Sequence, residues 1–206
     1  MHVPEKWRLN DETDVFDFID NYAFATLVSP SLQSSHLPLM LDRVNRCLIG
    51  HFARNNPHWR ELAENTTQQH LVIFNGPHGY ISPTWYVNKP AVPTWNYAAV
   101  HVKGIAEILS GEETMQALDS LMQKYEPALL VKRDVVSADY QEKLSKGIVG
   151  FKISLDVIDA KAKLGQHRST ADQQGVTLAL GNSAASDHEA LLLFMQQLNL
   201  GLGEPE

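Results

Sequence analysis

The sequence contains little cysteine and no long apolar run. Cys47 is the single cysteine among 206 residues, which excludes an internal disulfide framework and fits a reducing compartment. No stretch approaches the roughly 18 consecutive apolar residues of a membrane-spanning helix, so we expect no membrane span. The opening MHVPEKWRLNDE also lacks the apolar run of a secretory signal. Together these absences predict a cytoplasmic protein.

Basic residues are also scarce. The chain has 17 Lys and Arg against 24 Asp and Glu, a formal net charge of −7. A protein that binds duplex phosphates normally presents a basic face. The densest basic group is Lys152, Lys161, Lys163 and Arg168, which suffices for one or two phosphates on a small ligand. The composition therefore argues against direct nucleic-acid binding.

Apolar residues make up 44% of the chain, enough for a substantial core. The length predicts one domain with a small appendage. We expect the main domain over residues 1–180 and a helical appendage over residues 181–206, with Gly181–Ser186 (GNSAAS) as the joint. No repeat or low-complexity linker interrupts the pattern.

The β-forming segments are short and mostly contiguous. The pattern predicts about six strands in an antiparallel barrel with inserted helices, an α+β fold, although periodicity alone leaves a sandwich open. Pro38 restricts its strand to a sheet edge or a strand end. The predicted strands are Ala23–Ser29, Ser34–Leu41, Arg46–Phe52, His70–Phe74, Trp95–Leu109 (bending near Gly104) and Ile148–Ile158.

Capping residues mark the predicted helix starts. Asp11 caps the first helix, Asn56 with Pro57 starts the second, and Ser169 with Asp172 and Ser186 with Glu189 form capping pairs. The predicted helices are Asp11–Tyr22, one starting at Asn56, Glu112–Tyr125, Asp139–Lys146, one from Ser169 to Gly175, and one from Ser186 through Leu198 that is stopped by Gly201.

The segment Gly50–Trp59 (GHFARNNPHW) is a candidate phosphate site. A strand ends at Phe52, Arg54 and Asn55 occupy the turn, and a helix starts at Asn56. Free N–H groups at a helix start and a nearby arginine both suit a phosphate. An ordinary strand–turn–helix with a surface arginine is the alternative.

Two histidines could meet nearby. His36 lies in a strand that we expect to pair with the Gly50–Phe52 strand, and such a hairpin would bring His36 close to His51. No further His, Cys, Asp or Glu falls at metal-site spacing, so we predict no metal. No nucleophile elbow, P-loop or dinucleotide-binding glycine pattern is present, and the catalytic residues stay unknown.

Two later segments carry aromatic and basic residues. Trp85, Tyr86, Trp95 and Tyr97 lie among rigid Pro and Gly loops, where they could form an interface, bind a planar ligand or plug a barrel end. In Lys161–Asp172 (KAKLGQHRSTAD), Lys161 and Lys163 share one strand face, and Gln166 and Arg168 follow. This group could reach a phosphate or a polar ring edge, or could be a solvated surface.

These segments, in this order, resemble the PaiB-type family of negative transcriptional regulators that bind flavin mononucleotide (FMN). The resemblance covers roughly residues 1–180. The matching segments are His2–Pro4, Phe24–Val28, Ser35–Leu39, Gly50–Trp59, Ile73–Tyr86, Val92–Gly104, Ile148–Ile153 and Lys161–Ser169. Two positions depart from the family's usual KLSQN, because Gly165 replaces the serine and His167 replaces the asparagine.

The resemblance implies a Greek-key-like split β-barrel with peripheral helices, similar to pyridoxamine phosphate oxidase. It implies a homodimer in which FMN lies in the cleft between subunits. The implied cofactor-binding residues are Ser35, His36, His51, Arg54, Asn55, Asn56, Trp95, Lys163, Gln166 and Arg168. From its place in the turn, we expect Arg54 to bind the FMN phosphate.

Three functions are open at this point. The chain could be an FMN-binding regulator that acts indirectly or through a partner, a flavin-dependent oxidoreductase, or a flavin-free binding module that keeps the barrel. In a flavin enzyme the cofactor performs the redox step, so the sequence names no substrate.

Overall fold

The computed structural model describes residues 1–132 and 134–203 of the chain. The α-helices in this part are α1 (Glu12–Asn21), α2 (His58–Glu64), α3 (Gly111–Tyr125), α4 (Ala138–Ser145), α5 (Thr170–Gly181) and α6 (Ser186–Leu198). The strands are β1 (Phe24–Val28), β2 (Ser34–Pro38), β3 (Met40–Asp42), β4 (Cys47–Ala53), β5 (Gln69–Ile81), β6 (Thr94–Ile108), β7 (Ile148–Ser154) and β8 (Val157–Lys163). Short 3-10 helices occupy Glu5–Trp7, Pro83–Trp85 and Pro127–Leu130.

The strands form one sheet in the order β2-β1-β5-β6-β7-β4-β3, and β8 pairs with β6. The pairs β1–β2, β1–β5, β3–β4, β4–β7 and β6–β7 are antiparallel. β2 also contacts β4, which brings the two ends of this strand order close together. Such a nearly closed antiparallel sheet with surrounding helices confirms the predicted α+β class.

The chain forms two compact units. Unit 1 comprises Met1–Phe18, Asn75–Val100 and Asp159–Glu206, and unit 2 comprises Ile19–Phe74 and His101–Ile158. The long strands β5 and β6 contribute residues to both. In unit 1, α6 packs against α5. The predicted boundary at residue 181 stays a prediction, and residues 204–206 of the predicted appendage lie outside the described residues.

Buried apolar side chains fill each unit separately. Those of unit 2 alternate along its strands, as expected for a sheet with one buried face. The fully buried side chains of unit 2 include Leu27, Leu39, Leu48, Phe52, Phe74, Phe151 and Ile153. Those of unit 1 include Ile81, Leu164 and Leu180, with Leu191 and Met195 from α6.

One predicted helix end, one predicted strand and one predicted pairing were wrong. α5 runs past Gly175 to Gly181. A Cβ at Gly175 would lie 2.2 Å from the Trp85 carbonyl oxygen. This glycine therefore serves close packing and does not end the helix. The predicted strand Ile148–Ile158 is two strands, β7 and β8. β2 pairs with β1, whereas β3 is the strand that pairs with β4.

The predicted helix cap at Asp11 is confirmed, whereas the one at Ser186 was wrong. Asp11 Oδ1 accepts hydrogen bonds from the backbone N–H groups of Thr13 and Asp14 at 2.7 and 3.3 Å, which confirms the first cap. At α6 the cap position is Ala185, which has no capping side chain, so Ser186 was the wrong residue. Asn199, at φ 50°, takes the left-handed position that ends this helix.

Candidate functional site

Four cationic side chains crowd together in unit 1. Lys161 and Lys163 project from β8, and their Nζ atoms lie 5.3 and 5.7 Å from the ring centre of Trp7. Lys6 Nζ lies 4.6 Å from the same ring. We call Lys6, Lys161, Lys163 and Arg168 the cationic cluster. The three lysines face an indole, a favourable surface for cations, and Arg168 lies over the Tyr86 ring.

Lys163 is tightly held. Its ammonium donates to Thr94 Oγ1 at 2.6 Å and to the Trp95 carbonyl oxygen at 2.7 Å. Burial lowers the pKa of Lys163, and the positive charges of Lys161 and Arg168 lower it further. A cation disfavoured in this way gains most from an incoming anion. The same pattern affects His167, whose pKa is lowered by burial and by Lys6, Arg168 and Lys163.

Two buried N–H donors in unit 1 lack acceptors. The Arg168 guanidinium lies 4.4 Å from the Tyr86 ring centre. Its Nε and the Trp7 Nε1 are both buried without a hydrogen-bond partner among the described residues. Leaving a buried donor unsatisfied costs about 1–3 kcal/mol. An anion or a carbonyl oxygen would satisfy either atom.

Gln166 has a structural role in this region. Its Oε1 accepts from the Leu164 backbone N–H at 2.8 Å, and its Nε2 donates to the Ala162 carbonyl oxygen at 2.7 Å. Both ends of the amide therefore hold the turn that follows β8. Gly165 takes φ 85° in this turn, where a residue without a Cβ is favoured. The predicted cofactor contact of Gln166 stays a prediction.

Exposed aromatic side chains of β5 and β6 lie beside the Lys163 contacts. Trp95 is 53% exposed and Tyr80 is 42% exposed. The Trp95 ring centre lies 6.3 Å from that of Tyr80 and 6.1 Å from that of His78. We call His78, Tyr80 and Trp95 the aromatic face. The Tyr80 ring is tilted 76° and the His78 ring 33° from the Trp95 ring, so a planar ligand that stacks on Trp95 meets the Tyr80 ring edge-on.

The aromatic block predicted from sequence is divided in the structure. Tyr86 is buried beneath Arg168, and Trp85 packs edge-on against His188 at 5.7 Å. Tyr97 is covered by Lys161, whose Nζ lies 5.1 Å from its ring centre. Of the four aromatic residues in that block, Trp95 is therefore the one left largely exposed.

In unit 2 the predicted residues Ser35 and Asn56 meet at the start of α2. Asn56 Nδ2 donates to Ser35 Oγ at 3.2 Å, and Ser35 Oγ lies 2.8 Å from His58 Nδ1. Asn56 Oδ1 accepts from the His58 backbone N–H at 3.1 Å. The first helical N–H thus already has an acceptor, and α2 is only seven residues long. His58 itself is fully buried.

The remaining predicted residues of unit 2 lie apart. His36 pairs with Thr26 across β1 and β2, whereas His51 pairs with Gly150 across β4 and β7, so the expected hairpin between the two histidines was wrong. Arg54 donates from Nε to the Lys146 carbonyl oxygen and from Nη2 to the Ile148 carbonyl oxygen, both at 2.7 Å. Asn55 is exposed in the turn.

Comparison with known proteins supplies the family. Residues 1–157 match the family model described as "Putative FMN-binding domain". "Protease synthase and sporulation protein PAI 2" of Bacillus subtilis (strain 168) is 36% identical, over 88% of this chain and 90% of its own length. The chain belongs to this FMN-binding family. The predicted family and the predicted cofactor, FMN, are confirmed.

Two solved structures share the fold. The flavocytochrome Anf3 from Azotobacter vinelandii superposes with a TM-score of 0.63 at 14% identity, covering 80% of this chain and 73% of its own. The FAD and heme binding protein from Mycobacterium smegmatis gives a TM-score of 0.55 at 17% identity, with coverages of 75% and 72%. These likenesses confirm the predicted split-barrel fold.

The residues of unit 1 fit an FMN molecule. FMN presents a dianionic phosphate and ring carbonyl oxygens, and the cationic cluster with the unpartnered Trp7 and Arg168 donors requires such acceptors. Within the aromatic face, the exposed Trp95 ring offers the flat flavin ring a surface to stack on. The family match ends at residue 157, so for Lys161, Lys163 and Arg168 the fit rests on this chain's own geometry.

Sequence reasoning missed three residues in these sites. Trp7 comes from the opposite end of the chain to β8, Thr94 is an ordinary strand threonine, and His58 was read only as part of a helix start. The indole at Trp7 could have been noticed, because it lies among Lys6 and Arg8 close to the His2–Pro4 segment. Nothing in the pattern indicated Thr94.

Buried histidines predict a pH-dependent stability. Burial lowers the pKa of His58 and His70, and both side chains are fully buried. The unfolded chain therefore binds more protons below its ordinary histidine pKa of about 6.5, and stability falls as pH drops through that value, by at most about 1.4 kcal/mol per histidine per pH unit. We expect a lower melting temperature at pH 5.5 than at pH 7.5.

A melting series over pH for three proteins checks this expectation. The variant His70→Gln should show a flatter pH dependence than wild type, whereas His36→Gln, which changes an exposed histidine, should keep the wild-type slope. Equal slopes in all three proteins would show that the buried histidines do not control stability. Carboxyl groups with lowered pKa values, such as Asp42 and Asp20, change the stability only at more acidic pH.

Proposed function

We propose that this chain is an FMN-binding regulator of the PaiB type in which the cationic cluster and the aromatic face of unit 1 bind the cofactor. The observation that carries the proposal is the pair of buried, acceptor-free N–H groups at Trp7 and Arg168 among four cations. Bound FMN supplies redox chemistry and a flat, coloured ring. Lys163 and Arg168 would donate to its anionic and carbonyl oxygens, and Trp95 would offer its ring a stacking surface.

The contacts predicted in unit 2 are also part of the proposal, but other observations support them. Ser35, His36 and Asn56 offer polar groups in or beside β2 that suit a phosphate or a ribityl hydroxyl, and His51 and Asn55 stay predictions from the resemblance. Arg54 already binds two carbonyl oxygens through its guanidinium. Its predicted phosphate contact therefore has to use the other three N–H groups, two on Nη1 and the second on Nη2.

Purification and titration test the proposal directly. We expect yellow protein, or colourless protein whose tryptophan fluorescence is quenched when FMN is added. FMN should also raise the melting temperature, because a ligand that binds only the folded state stabilises it. Colourless protein that neither binds added FMN nor gains stability would overturn the proposal. Bleaching of the bound flavin by NAD(P)H would instead identify an oxidoreductase.

The regulatory part of the proposal requires a partner. The net charge of −7 and the scattered basic residues leave little for a duplex to bind. We therefore expect the isolated, FMN-loaded protein to show no sequence-specific duplex binding at submicromolar concentration and physiological salt. Gel shifts with promoter and scrambled duplexes measure this. A specific shift that persists at that salt would show that the protein reads DNA itself.

We also propose a homodimer in the cytoplasm. Its support is the exposed aromatic face, since apolar rings of this size left in water are unusual on a soluble monomer. The single cysteine fits a reducing compartment. Within the described residues, no helix combines the length and the apolar character needed to cross a membrane.

Trp95→Ala should weaken the dimer and FMN retention together. Removing a large exposed ring takes contact area from both the proposed interface and the flavin. Analytical ultracentrifugation at low micromolar concentration, read at both protein and flavin wavelengths, gives the two quantities in one run. Val87→Ala, which shortens another exposed side chain of unit 1, is the control. A wild-type monomer of about 23 kDa that holds stoichiometric FMN would contradict the dimer.

A further inference from the structure

Unit 2 contains a cavity of about 570 Å³ that none of the proposed FMN contacts lines. Its floor is the face of four neighbouring strands, β6, β7, β4 and β3, and one wall is α3. Its volume lies in the range of sites that hold small organic molecules. The α3 residues on the wall are Glu113, Gln116, Ala117 and Ser120, which recur at helical spacing and so share one face.

Two rows of side chains cross the floor. The strand registers place Lys152 opposite Glu107 and Ile49, and Ile49 opposite Met40. In the second row, Cys47 lies opposite both Ser154 and Asp42. Ile105 and Leu109 complete the apolar part of the lining. The floor therefore offers an apolar surface of Met, Ile and Cys side chains beside one ion pair.

The side chains that line this cavity carry a net negative charge. Lys152 Nζ lies 3.2 Å from Glu107 Oε2, and its charge also lowers the pKa of Glu113 after the hydrogen bonds from Ser110. Lys152 is thus shared between two carboxylates. The lining contains three carboxylates, from Asp42, Glu107 and Glu113, and two cations, from Arg46 and Lys152, which leaves one negative charge in excess.

We propose that this cavity binds a small organic cation with an apolar body, such as an alkyl or aromatic amine. The apolar rows of Ile49, Met40 and Ile105 cover its hydrocarbon. The excess carboxylate charge at Glu107 and Glu113 receives its ammonium. An organic anion of the same shape meets the same floor and is repelled by the same carboxylates.

Cys47 gives the cavity a built-in reporter. It is the chain's single cysteine, is only 8% exposed, and lines the cavity floor. Burial raises the pKa of its thiol, and the charge of Asp42 raises it further, so alkylation is slow and depends on access through the cavity. A ligand seated on the floor should shield the thiol from iodoacetamide.

The experiment measures Cys47 alkylation by mass spectrometry with hexylamine, hexanoate or 1-hexanol present at equal millimolar concentrations. We expect hexylamine to slow alkylation severalfold and more than hexanol does, and hexanoate to leave the rate unchanged. Glu107→Gln should weaken the protection by hexylamine several-fold. Equal protection by hexylamine and hexanoate, or no protection by hexylamine, would overturn the proposal. Because the readout needs no flavin, its failure is separate from failure of FMN binding.

Variants that fill the cavity test whether hexylamine protects Cys47 by binding there. Ala117→Trp places a large side chain on the α3 wall and should abolish protection by hexylamine, and Ala117→Leu should reduce it if the larger variant does not fold. Gln123→Trp, on the same helix but outside the cavity lining, is the matched control and should keep full protection. Protection that survives in a folded Ala117→Trp or Ala117→Leu protein would contradict the assignment.

Discussion

Lys163→Met should weaken FMN binding by about tenfold to a hundredfold, because one charge-assisted hydrogen bond is worth about 1.5–3 kcal/mol. An ammonium has three N–H donors. Two of those of Lys163 are directed to Thr94 Oγ1 and the Trp95 carbonyl oxygen, which aim the third. Methionine keeps the length and the apolar stem of the side chain and removes the donors and the charge.

The same substitution should leave the stability of the flavin-free protein nearly unchanged. The Lys163 ammonium is disfavoured by burial and by the charges of Lys161 and Arg168, as its lowered pKa shows. Removing the ammonium relieves that repulsion, which stabilises the protein, but it also removes two hydrogen bonds, which destabilises it. The two effects on stability therefore oppose each other. A structural lysine would instead lower the melting temperature when replaced.

Fluorescence titration of FMN and melting curves with and without FMN separate these outcomes. Lys163→Arg keeps the charge and should retain most of the affinity. Lys146→Met, at an exposed lysine paired with Glu142, is the matched control and should bind FMN as wild type does. A Lys163→Met protein with wild-type affinity would remove the cationic cluster from the proposed FMN site.

Much of the fold could be predicted from the sequence because the local hydrophobic patterns match the side chains that the fold buries. The first helix, with its cap at Asp11, and the long strand near Trp95 were found to within one or two residues. The separation of β2 from β3 could not be predicted. Both β2 and β3 lie in the predicted strand Ser34–Leu41, and the break at Leu39 sends only the second part to β4.

The candidate site was harder to predict than the fold. Lys163 and Arg168 were identified by their types, but the indole that Lys163 faces, at Trp7, lies near the other end of the chain. Gln166 and Arg54 were identified by the same reasoning, yet their polar groups bind nearby backbone carbonyl and N–H groups. Residue type shows which bonds a side chain can make, whereas the folded backbone decides which partner it meets.

Gly104→Ala should destabilise the protein by about 3 kcal/mol, near the upper end of the costs of overpacking. The predicted bend in the long strand falls at this residue, within β6. A Cβ at Gly104 would lie 1.7 Å from the Ser154 carbonyl oxygen and 2.7 Å from the Ser154 carbonyl carbon. These are backbone atoms of β7, so no side-chain rotation can relieve the contact and the strands must separate.

Hydrogen bonds on both sides of Gly104 resist that separation. The Ile105 backbone N–H donates to Ser154 Oγ at 2.9 Å, and the Asp156 backbone N–H donates to the Lys103 carbonyl oxygen at 3.1 Å. Moving the strands apart weakens both bonds. For a protein of this size, about 3 kcal/mol corresponds to a fall in melting temperature of roughly 6–12 °C.

Gly111→Ala is the matched control for Gly104→Ala. A Cβ at Gly111 meets nothing within 4 Å, and this residue begins α3, where alanine favours the helix over glycine. We expect Gly111→Ala to melt at the wild-type temperature or slightly above it. Urea unfolding followed by circular dichroism measures both variants. Equal midpoints for the two would show that the close approach of β6 to Ser154 does not constrain the sheet.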